Sequence, residues 1–99
     1  MAKKLSDLDK LESRLMEEPA FVNEYKASKP FAEVTMQIIR ARYDAGLTQQ
    51  QLAEKIGTRQ SVISRIESFD YSGMNLRTLQ RIAEALGLEV DIQLKRVAS

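Results

Sequence analysis

Between Leu47 and Glu67 the sequence sets two short amphipathic stretches on either side of one glycine, Gly57, and few folds accept that arrangement. Thr48 and Gln51 have the spacing of a capping box, in which each side chain satisfies the other's orphan backbone amide. A helix from Gln49 to about Ile56 follows, stopped by Gly57. Thr58 is placed to cap a second helix, Arg59 to Glu67. Two helices crossing near a right angle need a small residue where they nearly touch, and Ala53 supplies it. The turn between them needs a positive backbone angle, which Gly57 adopts without strain. Leu52, Ile56, Ile63 and Ile66 then form apolar faces that must close against other helices.

The flanks provide those helices. Phe31, Val34, Ile38, Ile39, Ala41, Arg42 and Ala45 suit a helix over about 31–45, ended by Gly46 in a left-handed cap. Asn75 caps a helix carrying Leu76, Leu79, Ile82, Ala83 and Leu86, and Gly87 ends it. Ser68 to Met74 is a loop, with Ser72-Gly73 as turn chemistry.

Residues 1–29 form a separate helical extension, distinct from a domain over 30–87. They hold six basic and six acidic side chains. Leu5, Leu8, Leu11 and Leu15 recur at helical steps, and Glu18-Pro19 breaks the run. Phe21, Val22 and Tyr25 line a second short stripe. At the other end, residues 88–99, the period changes. Leu88, Val90, Ile92 and Leu94 alternate with Glu89, Asp91, Gln93 and Lys95, the pattern of a strand with one apolar face. No other stretch reads as a strand, so this one needs a partner from a second copy. The expectation is a homodimer paired through an antiparallel ribbon.

Composition narrows the function. The 99 residues contain no cysteine, no histidine and no tryptophan. Disulfides, thiolate or imidazole metal sites and a cysteine nucleophile are excluded, and no cofactor is expected. A catalytic reading would have to use carboxylates, Lys, Ser or Tyr, and none of these fall in a recognisable constellation, so an enzyme is not expected. No apolar run approaches a membrane span or a signal segment, which points to a soluble cytoplasmic protein. The net charge of +1 is neutral on the question of nucleic acid. Between Arg40 and Arg81, however, seven basic residues meet four acidic ones.

The stretch Leu47-Thr48-Gln49-Gln50-Gln51-Leu52-Ala53-Glu54-Lys55-Ile56-Gly57-Thr58-Arg59-Gln60-Ser61-Val62-Ile63-Ser64-Arg65-Ile66-Glu67 resembles the lambda-repressor/Cro-like helix-turn-helix family. Leu79-Gln80-Arg81-Ile82-Ala83-Glu84-Ala85-Leu86-Gly87 does so too, and the likeness covers about residues 32–87. It implies a mainly α, five-helix-type DNA-binding domain. The N-terminal extension and terminal strand are similar to the layout of HigA-type antitoxins. That implies a RelE/HigB-like ribonuclease toxin as partner, a double-stranded operator with an inverted repeat, and a location on the nucleoid when bound. The loop after Glu67 departs from the pattern, since many relatives have a shorter one with glycine and proline.

The second helix of such a motif enters the major groove with its N-terminal half toward base edges. Its outward set is Arg59, Gln60, Ser61, Ser64 and Arg65, which includes the side chains that read guanine and adenine. Val62 either touches a thymine methyl or packs inward. Gln49 opens the preceding helix, where a phosphate is favoured. The resemblance makes Gln49, Gln60, Ser61 and Arg65 contact positions, and implies a partly buried ion pair between Arg42 and Glu67. In the extension, Leu8, Leu11, Leu15, Phe21 and Tyr25 are the candidate anchors for a protein partner. The rival reading is a phage- or chromosome-type transcriptional repressor without a toxin, whose extension packs into its own core.

Overall fold

The computed structural model describes Asp9, Lys10, Ser13, Arg14, residues 16–19, Val22, residues 29–70 and residues 72–98. From Lys29 onward four helices follow one another: α1 Lys29–Asp44, α2 Gln49–Ile56, α3 Gln60–Glu67 and α4 Leu76–Ala85. α1 starts two residues before Phe31, because Pro30 fits the first helical turn, where its missing N–H has no intrahelical acceptor to lose. The helix buries Ala32, Thr35, Ile38, Ile39 and Arg42 along one side.

α2 carries the capping box. The Gln51 N–H donates to Thr48 Oγ1 at 3.1 Å, and the Thr48 N–H donates to Gln51 Oε1 at 2.9 Å. α3 departs from the sequence reading. Its N-cap is Arg59, in extended geometry and with no side-chain cap, while Thr58 lies within the turn and donates its N–H to Ala53 O. α3 also has Val62, Ile63 and Ile66 among its eight residues, a β-branched content that disfavours an isolated helix. Tertiary burial holds it in place: Ile63 and Ile66 are almost wholly enclosed. α4 begins under Asn75, whose side chain accepts the Thr78 N–H at 2.8 Å.

All four helices close in one way. A residue just past the helix donates its N–H five positions back across the last turn: Leu47 to Arg42 O, Thr58 to Ala53 O, Asp70 to Arg65 O and Leu88 to Ala83 O. The residue before that donor must be left-handed. Gly46, Gly57 and Gly87 take that role with φ near +72°, and Phe69 takes it after α3 with φ +64°. A bulky residue at such an angle is uncommon.

The core gathers Ile38 from α1, Leu52, Ala53 and Ile56 from α2, Ile63 and Ile66 from α3, and Ile82 from α4. Val34, Val62, Met74, Leu79 and Leu86 pack around it. Val62 therefore faces inward. Burying each large aliphatic side chain contributes about 1.5–3 kcal/mol.

The strand expected over Leu88 to Lys95 and the five-helix count are both corrected here. Among the described residues no strand occurs, and four helices, not five, make up the domain from Lys29 to Ala85; Asp9, Lys10, Ser13, Arg14, Pro19 and Val22 before it are also helical. Gly87 terminates α4, and the two-residue alternation that follows gives no helical face. Among the described residues that segment has no second strand with which to form a ladder. Its first residues lie along a groove formed with Val34, Ile38, Leu79 and Leu86, while Leu94 is 96% exposed. Among the described residues no helix is long and apolar enough to cross a membrane.

Two substitutions test this architecture. Gly57→Ala should cost about 1–2 kcal/mol, because a Cβ is strained at φ +71°. At 3.5 Å from Arg81 Nη2 the added carbon meets only ordinary contact, so the cost is conformational. Thermal melting should show a loss of roughly 4–8 °C per kcal/mol. Thr35→Val should act in the opposite direction. Thr35 is fully buried and its Oγ1 has no hydrogen-bond partner among the described residues. An isosteric methyl should raise stability by about 1 kcal/mol in urea titration.

Candidate nucleic-acid interface

The site is built outward from one buried ion pair. Arg42, in the last turn of α1, is 8% exposed. Its Nε donates to Glu67 Oε2 at 2.7 Å and its Nη2 donates to Glu67 Oε1 at 2.7 Å, a two-pronged match of guanidinium to carboxylate. Its Nη1 donates to the Leu47 carbonyl at 2.8 Å, and its Cζ lies 4.8 Å above the Tyr43 ring. Burial works against the charge on Arg42. The hydrogen bonds and charge of Glu67, with a smaller contribution from Tyr43, more than offset it and hold the guanidinium above its ordinary value. Arg42 thereby ties the end of α1 to the entry of α2 and to the last residue of α3.

Glu67 has a second partner. Gln49 Nε2 donates to Glu67 Oε1 at 3.1 Å, and Gln60 Nε2 donates to Gln49 Oε1 at 2.7 Å. A continuous line of hydrogen bonds therefore runs from the Leu47 carbonyl through Arg42, Glu67 and Gln49 to Gln60. It brings together the first residues of α2 and α3, which lie eleven positions apart in the chain. In the line Gln49 uses one donor and one acceptor and Gln60 one donor, so each amide keeps further hydrogen-bonding capacity for a ligand.

The structure places the other outward residues as follows. Arg59 sits at the uncapped start of α3 and is exposed, as is Ser61. Ser64 is half-buried, and its carbonyl accepts the Ser68 hydroxyl at 2.8 Å. Arg65 is exposed in the last turn, and its Nε lies 3.7 Å from Asp70 Oδ2. Gln49, Gln60, Ser61 and Arg65 thus share the surface formed by the start of α2 and the outer side of α3. Leu8, Leu11, Leu15, Phe21 and Tyr25 lie outside the described residues.

Two contributors have no signal in the sequence pattern. Arg81 of α4 donates to the Ile56 carbonyl, closing the C-terminal end of α2. Asp70 reaches Arg65 only because Phe69 turns left-handed, and Phe69 carries none of the usual marks of such a turn. A carboxylate five residues after an arginine, past the helix end, is not a helical pairing distance.

The surface offers amides, hydroxyls and guanidinium groups on an eight-residue helix supported from behind by a desolvated ion pair. These are the groups that bond base edges and phosphates. A family model described as helix-turn-helix matches residues 38–93. No curated protein and no solved structure gives a significant match.

Removing the carboxylate should show how much the arrangement depends on the pair. Glu67→Ala strands the Arg42 charge and should cost about 3–5 kcal/mol. The double change Arg42→Met with Glu67→Leu strands no charge, and its cost should be clearly smaller. Urea unfolding of the two variants side by side measures the difference.

Proposed function

The chain belongs to the helix-turn-helix family of DNA-binding regulators, and we propose that within it this protein is a sequence-specific repressor of the antitoxin kind, acting on its own operator. One observation carries the DNA reading: the line of bonds from the buried Arg42–Glu67 pair to Gln49 and Gln60. It fixes the amides that start α2 and α3 before any ligand arrives, so less side-chain freedom is lost on binding. Gln60 and Arg65 read bases, Ser61, Ser64 and Arg59 border them, and Gln49 contacts the phosphate backbone.

The protein acts as a homodimer on an inverted repeat, with recognition helices about 34 Å apart. Support comes from the terminal segment, whose Ile92, Leu94 and Val97 are large, apolar and exposed. The antitoxin reading draws on residues 1–29, which lie outside the matched family region and have apolar stripes with balanced charge. In that reading Leu8, Leu11, Leu15, Phe21 and Tyr25 anchor a cationic ribonuclease-type toxin, and Glu17, Glu18 and Glu24 face its basic groove. A repressor that binds DNA alone is the alternative.

Base-edge and backbone contacts separate cleanly by titration. Arg65→Ala or Gln60→Ala should cost roughly 1–3 kcal/mol on the specific duplex and relax base preference. Gln49→Ala should weaken all duplexes alike. Discrimination unchanged by Arg65→Ala would refute the groove assignment.

A chain ending at Gly87 should sediment as a monomer. A chain starting at Pro30 should still bind operator but fail to protect cells from the adjacent toxin. Full protection by the shortened chain would put the neutralising surface outside residues 1–29, and a collapse of its folding would favour the alternative.

A further inference from the structure

We propose that Asp70 is a positioning residue for DNA reading: its carboxylate holds the Arg65 guanidinium for one kind of base edge and opposes binding to arbitrary sequence. The proposal rests on the reading of α3 as the base-contacting helix.

The geometry begins with the turn that ends α3. Phe69 adopts φ +64°, and the Asp70 N–H returns to the Arg65 carbonyl at 3.1 Å. Asp70 is therefore tied by its backbone to the residue whose side chain it faces. Its carboxylate is fixed from the other direction as well, since Oδ1 accepts the Ser72 N–H at 3.1 Å. That leaves Oδ2 for the ion pair, 3.7 Å from Arg65 Nε. Hydrogen bonding by Ser72, side chain and then backbone, and the charge of Arg65 keep the Asp70 carboxyl below the usual carboxylate range. It is anionic wherever the protein is folded near neutrality.

An exposed arginine samples many rotamers, and contact with a base removes that freedom. A fixed anion beside Nε restricts the guanidinium in advance. It also engages the edge of the fork that a bidentate contact does not use. The two Nη groups are left for guanine O6 and N7.

The same carboxylate stands beside the surface that meets phosphate. Toward random DNA it contributes repulsion, which the correct base compensates through Arg65 and a wrong base does not. Specificity is gained by weakening the alternatives as well as by favouring the target. The exposed pair contributes little to folding by itself.

The test uses the full chain and duplexes enriched by it from a random pool, against a scrambled duplex of equal composition at one salt concentration. Asp70→Asn keeps an acceptor for the Ser72 N–H, so the loop is retained while the charge is lost. The variant should bind the scrambled duplex more tightly. The ratio of enriched to scrambled affinity should fall about three- to tenfold. In an Arg65→Ala background the same change should leave that ratio unaltered, which a purely structural role would not produce. If Arg65→Ala narrows the ratio and Asp70→Asn does not, the positioning role is overturned and the groove assignment stands. If Arg65→Ala has no effect on the ratio, or wild type enriches no duplex, the underlying reading of α3 is overturned.

Discussion

A guanidinium and a carboxylate closed away from water hold this domain in its working shape. Arg42 and Glu67 come from α1 and α3, and the pair meets at the entry to α2. Such a pair adds little net stability compared with well-packed apolar residues, because desolvation of both ions consumes most of the attraction. Its value here is directional. Two parallel bonds fix the angle between α1 and the short α3 far more tightly than aliphatic contacts, which tolerate sliding. α3 has poor intrinsic helix propensity and only eight residues, so its orientation must be imposed from outside.

The same carboxylate that receives Arg42 also receives Gln49, and Gln49 receives Gln60. A core constraint is thus carried to the surface through polar groups without a break. Helix packing sets where α3 lies, and the amide line sets how its first side chain is presented. Interface chemistry and core packing are therefore not separable in this domain. A change at Glu67 alters stability and presentation at once, whereas a change at Gln60 alters presentation alone.

Much of this is legible in the sequence because it depends on local chemistry. The Thr48/Gln51 box, the glycines that end three of the helices and the Asn75 cap each follow from neighbours within a few positions. The start of α3 is not legible in that way. Thr58 is a better N-cap than Arg59 by type, but the turn set by Gly57 commits the Thr58 amide to Ala53 and moves the helix start onward. The left-handed Phe69 is hidden for a similar reason: tertiary context overrides a local cost, and Phe69 gives no glycine signal. The terminal segment misleads in the opposite sense. Alternation reports which side chains would share a face, but a ladder also needs a second strand.

The two closures around α3 differ in chemistry, and the difference has consequences for the interface. At its start, Gly57 makes the turn without strain, and the first amide groups of α3 are left without a side-chain cap. At its end, Phe69 makes the turn at a steric cost that glycine would not incur. That cost is tolerated at the point where the chain delivers Asp70 beside Arg65. A glycine there would relax the backbone, but it would also free the segment that carries the carboxylate. The strain at Phe69 thus sits where it fixes the backbone of Asp70. The helix is therefore held at both ends by unlike means, with amides that lack a side-chain cap at one and a charged, constrained loop flanking it at the other.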